Sequence, residues 1–163
     1  MPTLVPTDLA RPAHRAAFID LLEHYARDPM GGGGGLSAEA RAHLPERLAA
    51  RVDFVSWLAF DGARAVGLLN AFEGFSTFAA RPLLNIHDIV VHRDWRGRGI
   101  GRALLAAAEE SARARNCCKL TLEVLSGNTT ARAVYAACGY APYALDPRMG
   151  DALFLERKLS TAF

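Results

Sequence analysis

A chain of 163 residues, 51% hydrophobic and 22% charged, is read as one globular domain over 1–163 with a sizeable core. Its formal net charge of +2 is too small to argue for nucleic acid, and no apolar run reaches the ~18 residues of a membrane span. Three cysteines, two of them adjacent at Cys117 and Cys118, cannot make a disulfide framework; with no signal-peptide pattern, reduced thiols in a cytoplasm are expected.

Leu4–Leu9 reads as a short strand. From Arg11 to Arg27, Ala17, Phe18, Leu21, Leu22 and Tyr25 recur at helical spacing, and Asp28-Pro29 ends that helix. Gly31 to Gly35 form the one low-complexity segment, expected as a mobile connector or a loop at the mouth of a site. Ser37 to Ala40 looks like a second helix start, with Leu44, Leu48 and Val52 on one face and Pro45 a possible interruption. Phe54–Phe60, the turn signal Asp61-Gly62, and Ala65–Phe72 read as a hairpin. Arg81-Pro82 is expected to break the chain before a strand over Leu83–Val91. Arg102 to Glu110 are almost all strong helix formers. Lys119–Leu125 alternates as a buried strand, Ser126 to Thr129 opens a helix ending at Gly139, and Ala152–Leu159 reads as a last strand. The order predicts a mixed α/β sheet with one crossover.

That crossover centres on Arg96-Gly97-Arg98-Gly99-Ile100-Gly101, between a strand and a helix. The first amides of a helix have no intrahelical partner and carry partial positive charge. Glycines at 97, 99 and 101 let a ligand approach the backbone, and Arg96, Arg98 and Arg102 add charge, a combination suited to a pyrophosphate. A tight turn with solvated arginines is the alternative. The glycines fall as G-x-G-x-G, so the dinucleotide pattern G-x-G-x-x-G does not fit, and the Gly-Lys-Ser/Thr of a P-loop is absent.

What fits is R-x-x-G-x-G over Arg96, Gly99 and Gly101, which resembles the acetyl-CoA loop of the GNAT N-acetyltransferase superfamily. A second signature, Asn128-x-x-Ala131-x-x-x-Tyr135-x-x-x-Gly139-Tyr140, looks like that family's N-x-x-A-x-x-x-Y-x-x-x-G-F/Y. The resemblance covers most of the chain and is strongest from Phe54 to Tyr140. It implies a mostly antiparallel central sheet with a splayed parallel pair, flanked by about four helices. It implies acetyl-CoA held by Ile89, Val90, Val91, Arg96, Gly97, Arg98, Gly99, Ile100, Gly101, Arg102 and Asn128, with Tyr135 beside the sulfur, and a homodimer. Phe75 to Phe78 followed by Leu84-Asn85-Ile86-His87-Asp88-Ile89 is similar to spermidine/spermine-like acetyltransferases, though His87 stands where that group has Glu. Against arylalkylamine acetyltransferases, whose strand carries H-x-H, His87 falls on the second His and Asn85 replaces the first.

The chemistry can be argued from the residues as well. An amine of pKa near ~10 is neutral in about one molecule in a thousand at pH 7, so its proton must be removed. A base near the operating pH serves best, and imidazole at ~6.5 is close, which points to His87; a histidine satisfied inside the sheet is the other reading. Asp88 faces the opposite side on a regular strand and the same side if a bulge intervenes. It is a candidate base through water, an orienter of His87, or an anchor for a substrate cation. Glu123 is a weaker candidate for these tasks. Tyr135 is the candidate for stabilising or protonating the leaving thiolate, against core packing as the plain alternative. Backbone amides around Ile89 to Val91 would polarise the acetyl carbonyl. His92 is expected on the surface, and no step needs a metal. The reading is N-acetylation of a small primary amine; a non-catalytic acyl-CoA sensor and a protein or peptide N-terminal acetyltransferase are the alternatives.

Overall fold

The computed structural model describes residues 2–150 and 152–159. Five strands form one sheet in chain order: β1 (Thr3–Pro6), β2 (Phe54–Asp61), β3 (Arg64–Ser76), β4 (Arg81–Val91) and β5 (Leu120–Leu122). The first four run antiparallel, and β4 pairs with β5 in parallel. Four α-helices flank them: α1 (Pro12–Ala26), α2 (Ala38–Ala49), α3 (Ile100–Ala114) and α4 (Thr129–Ala137). This is the mixed sheet that the element order predicted, with the parallel pair that the resemblance implied.

Two apolar layers hold the sheet. On one face Phe18, Leu21 and Leu22 of α1 and Leu48 of α2 pack on Leu58, Leu68 and Val90. On the other, Ile100, Leu104, Leu105, Ala108 and Ala112 of α3 cover Ala59, Val66, Leu69, Leu84 and Ile86. Each such leucine removed from water contributes roughly 1.5–3 kcal/mol, which sets α3 firmly on the sheet. Gly67 on β3 lets it come close, since a Cβ there would lie 3.0 Å from Ile100 Cγ2 and 3.2 Å from Leu104 Cδ1.

Several boundaries differ from expectation. Pro45 lies inside an unbroken α2, which starts where Ser37 Oγ accepts from the Ala40 amide at 3.1 Å. Helix α2 ends at Ala49, so Val52 is 97% exposed instead of extending its apolar face. Arg81-Pro82 does not break the chain but begins β4; proline is tolerated at a strand's start, and the Pro82 carbonyl accepts from the Cys118 amide. β5 has only three residues, with Val124 and Leu125 exposed. Ala152–Leu159 forms no strand: Leu153, Phe154 and Leu155 lie exposed and pair with none of the described strands.

The sheet is irregular at the place that matters. Asn70 pairs with Asp88 but Ala71 with Ile86, so His87 is an extra residue in β4, a β-bulge. It inverts the strand's facing. Leu84 and Ile86 enter the α3-side core, whereas beyond the bulge Val90 enters the α1-side core and Ile89 and Val91 pack toward α3. The β4–β5 pairing also stops at Ile86↔Leu122, leaving the β5-facing edge of β4 unpaired onward to Val91.

Candidate active site

The unpaired stretch of β4 runs straight into the glycine turn. His92 begins a 3-10 turn over Arg93–Trp95, its Nδ1 accepting from the Asp94 amide at 3.4 Å. The turn is braced from outside: Trp95 Nε1 donates to Asp61 Oδ2 at 2.9 Å, and the Arg64 guanidinium lies 4.2 Å over the Trp95 ring. His92 is accordingly not a plain surface residue; it stacks on His24 of α1 with centroids 4.4 Å apart. The chain then turns through Gly97 at φ +77° and Gly99 at φ +81°, backbone that favours glycine, and α3 begins. A Cβ at either glycine would meet nothing within 4 Å, so open space stands over the turn.

The first helical bond of α3 runs from the Ala103 amide to the Gly99 carbonyl. Among the described residues, none of the amides at 97–102 has an acceptor. Six successive unpaired amides at a helix start form an anion cradle. Arg96, Gly97, Gly99, Ile100, Gly101 and Arg102 all border the cleft here. Arg98 is turned aside, donating to the Asp94 carbonyl and lying over Trp95. Arg96 is engaged: Nε donates to the Val91 carbonyl, and Nη2 pairs with Asp28 Oδ2 at 3.0 Å.

The cleft has a volume of about 700 Å³. Its sheet wall is Ile89, Val90 and Val91; its opposite wall is α4, with Asn128, Val134 and Tyr135. Asn128 caps α4, its Oδ1 accepting from the Ala131 amide at 3.2 Å, so its place beside the cleft is fixed by the helix it starts. Burial, and secondarily Tyr25, pushes the Tyr135 hydroxyl up to about 12. It therefore keeps its proton and is available as a hydrogen-bond donor at every physiological pH. Tyr25 enters from α1 and lines the same cleft; burial raises its hydroxyl too, with Asp88 and Asp28 adding to the effect.

The bulge settles where the candidate base residues lie. His87 and Asp88 both stand on the face toward α1, just outside the cleft that begins at Ile89. His87 is exposed, meeting the Phe72 ring edge-on at 5.5 Å. Asp88 is half-buried, and its Oδ2 accepts from Asn70 Nδ2 at 3.0 Å. Asn85 Nδ2 donates to Thr121 Oγ1 at 3.0 Å and reaches Glu123 at 3.3 Å, which leaves Glu123 exposed at the far end of this face. Sequence reasoning missed Asn70. A lone asparagine inside the apolar strand Val66–Phe72 was the available signal, since a buried amide needs a reason to be there.

The glycine run also departs from a loose connector. Amides of Gly31 and Gly33 donate to the Asp28 carbonyl, that of Gly35 to Ala26, and that of Leu36 to Glu23 Oε2 at 2.9 Å. The run is thereby folded onto the end of α1, with Pro29 and Met30 bordering the cleft.

A strand, an amide cradle at a helix start, and a cleft between β4 and α4 make up the candidate site of this α/β protein. The chain belongs to the acetyltransferase (GNAT) family, whose model matches residues 18–140. It is 39% identical over 87 residues to streptothricin acetyltransferase of Streptomyces lavendulae, covering 53% of this chain and 46% of that protein. The chain thus spans less than half the length of the curated relatives it matches. Its fold superposes with a TM-score of 0.78 on an aminoglycoside acetyltransferase from an uncultured soil metagenomic sample, 18% identical, covering 98% of this chain and 97% of that one. It superposes at 0.74 on AAC(6')-Iy in complex with the bisubstrate analogue CoA-S-monomethyl-acetylneamine, 17% identical, covering 98% and 99%. The family uses acetyl-CoA, and the residues here fit it: free amides, open space over Gly97 and Gly99, and arginines alongside.

Proposed function

We propose that this protein transfers the acetyl group of acetyl-CoA to a primary amine of a small molecule by direct attack. One observation carries the reading: the cradle of unpaired amides at 97–102 opens into the same cleft as the Tyr135 hydroxyl, along an unpaired strand edge. Ile89 to Val91, Arg96 to Arg102 (Arg98 by its backbone amide alone) and Asn128 would hold the cofactor, which supplies a thioester acetyl group.

The chain's own groups divide the remaining work. The amine gives one proton to Asp88, directly or through water, with His87 beside it as the second candidate. As the new C–N bond forms and the C–S bond breaks, the nitrogen's second proton passes to solvent. The departing thiolate, of ordinary thiol pKa near 8.5, does not need the phenol's proton, and a hydroxyl at about 12 does not surrender it. Tyr135 instead stabilises the sulfur by donating a hydrogen bond. Unpaired backbone on β4 polarises the acetyl carbonyl.

For the acceptor, the face bearing His87, Asp88 and Glu123 suits a cation. Relatives acting on streptothricin and aminoglycosides support an amino-bearing natural product, and the resemblance to spermidine/spermine-like enzymes supports a polyamine. We read the chain as a single cytoplasmic domain forming a homodimer; exposed Leu153, Phe154 and Leu155 offer surface for a second copy. The test is release of free thiol from acetyl-CoA over a panel of polyamines, aminoglycosides, streptothricin and a Ser-initiated peptide. Turnover with a small amine is expected. Turnover with the peptide alone, or binding without turnover for every amine, would replace this reading with the peptide enzyme or the sensor.

A further inference from the structure

Asn70 lies in β3, 1% exposed, in a stretch whose neighbours are apolar. Its amide is half used: Nδ2 donates to Asp88 Oδ2 at 3.0 Å, while Oδ1 is buried without a partner. Among the described residues it is the one buried side-chain polar atom left so. A buried carbonyl oxygen without a donor weakens a fold, and leucine of similar size would avoid it. The position is costly for stability and sits directly across the bulge that turns Asp88 toward the α1 face.

We propose that Asn70 is the positioning residue for Asp88, holding its carboxylate in place before and after it takes the proton of the acceptor amine. The inference rests on Asp88 being that proton acceptor. An amide presents a donor on one edge and an acceptor on the other. Toward the carboxylate it offers Nδ2, as observed. The proton of the amine nitrogen goes to the other Asp88 oxygen, so the oxygen held by Asn70 remains an acceptor for Nδ2 in both forms. Either way one Asp88 oxygen is held by Asn70 and the other stays free for the amine or its bridging water. The unpartnered Oδ1 is the stability cost of placing that donor on Asp88. The other titratable groups about Asp88 are Tyr25 from α1 and His87 beside it on β4.

The test is Asn70→Leu, followed by initial rates from pH 7 to 9.5 and by thermal unfolding. An amine of pKa near ~10 is neutral in about one molecule in a thousand at pH 7 and in about one in four at pH 9.5, so help with its proton matters most at the lower pH. Expected are a kcat reduced about 10- to 100-fold at pH 7 and within about threefold at pH 9.5, an unchanged KM for acetyl-CoA, and a melting temperature equal to or above the parent's. Within an Asp88→Asn background the same substitution should change kcat by less than twofold. A deficit equal at every pH, or one that persists in that background, would overturn the proposal, since a merely structural residue behaves so. Should the leucine variant not fold, Asn70→Ser, whose hydroxyl also donates and accepts, must retain more than a third of the parent's kcat at pH 7; loss beyond that at all pH values overturns the proposal equally. Asp88→Asn with full activity removes the reading of Asp88 itself. Loss in Asp88→Asn with no effect of Asn70→Leu removes only the role of Asn70.

Discussion

Tyr135 carries the sharpest residue-scale expectation, because its environment limits what it can do. With its hydroxyl pushed up to about 12, it donates a hydrogen bond but does not give up its proton. Tyr135→Phe should lower kcat by roughly 10- to 100-fold while leaving the KM for acetyl-CoA within about threefold, since one donor to developing charge is lost and no phosphate contact is. The parent's rate should likewise show no loss between pH 8 and 10 attributable to phenol ionisation. Steady-state kinetics on the two proteins checks both. The place of Tyr135 beside the cleft was legible through the family-like signature it shares with Asn128 and Gly139. Asn70 was not, because its significance lies in an unpartnered oxygen and a register shift, and neither leaves a pattern along the chain. The shared orientation of His87 and Asp88 was open in the sequence for the same reason: a bulge is one residue of mismatch between two strands, and neither strand's sequence alone marks it.

At the scale of elements, α3 presents the cradle and the sheet sets the height of α3. Gly67 is the contact point, so Gly67→Val forces Ile100 and Leu104 outward. Overpacking of this kind costs about 1–3 kcal/mol, which for a chain of this length lowers Tm by roughly 2–12 °C. Acetyl-CoA affinity should fall with it, as the amides at 97–102 move relative to β4. Differential scanning calorimetry and isothermal titration read the two effects. Helix α4 and its C-cap carry a second expectation. Burial first, in both cases, raises Tyr135 and Tyr140 to about 12 from an ordinary 10. A raised folded value contributes stability that is fully present below pH 10 and lost as pH climbs toward 12. Unfolding curves should therefore steepen in pH dependence between 10 and 12, and Tyr140→Phe should flatten them. Elements built on strong periodicity, such as α1 and α3, were readable to within a few residues. β5 and the segment Ala152–Leu159 were not, because apolar alternation shows which residues could pair and not whether they do.

Across the whole molecule, the end of α1 and the cradle are joined by one ion pair, Asp28 with Arg96. Asp28 is held below the usual carboxylate range, first by the Met30 amide and then by Arg96. An incoming pyrophosphate competes for the same guanidinium. Asp28→Asn keeps an oxygen for the Met30 amide while releasing Arg96, so acetyl-CoA should bind about two- to fivefold tighter, with a steeper fall in affinity as salt is raised from 50 to 300 mM. Affinity unchanged at both salt concentrations would mean that Arg96 stays with Asp28 when the cofactor binds.

The expectations for activity and cofactor affinity depend on the cradle being where acetyl-CoA binds. Calorimetric titration of acetyl-CoA into the parent protein and into a Gly99→Glu, Gly101→Glu variant is the direct test, with circular dichroism to verify that the variant is folded. Added bulk and two negative charges at the unpaired amides should abolish a dissociation constant expected in roughly the micromolar range. A parent that does not bind acetyl-CoA, or a folded variant that binds it as well as the parent, would contradict the account.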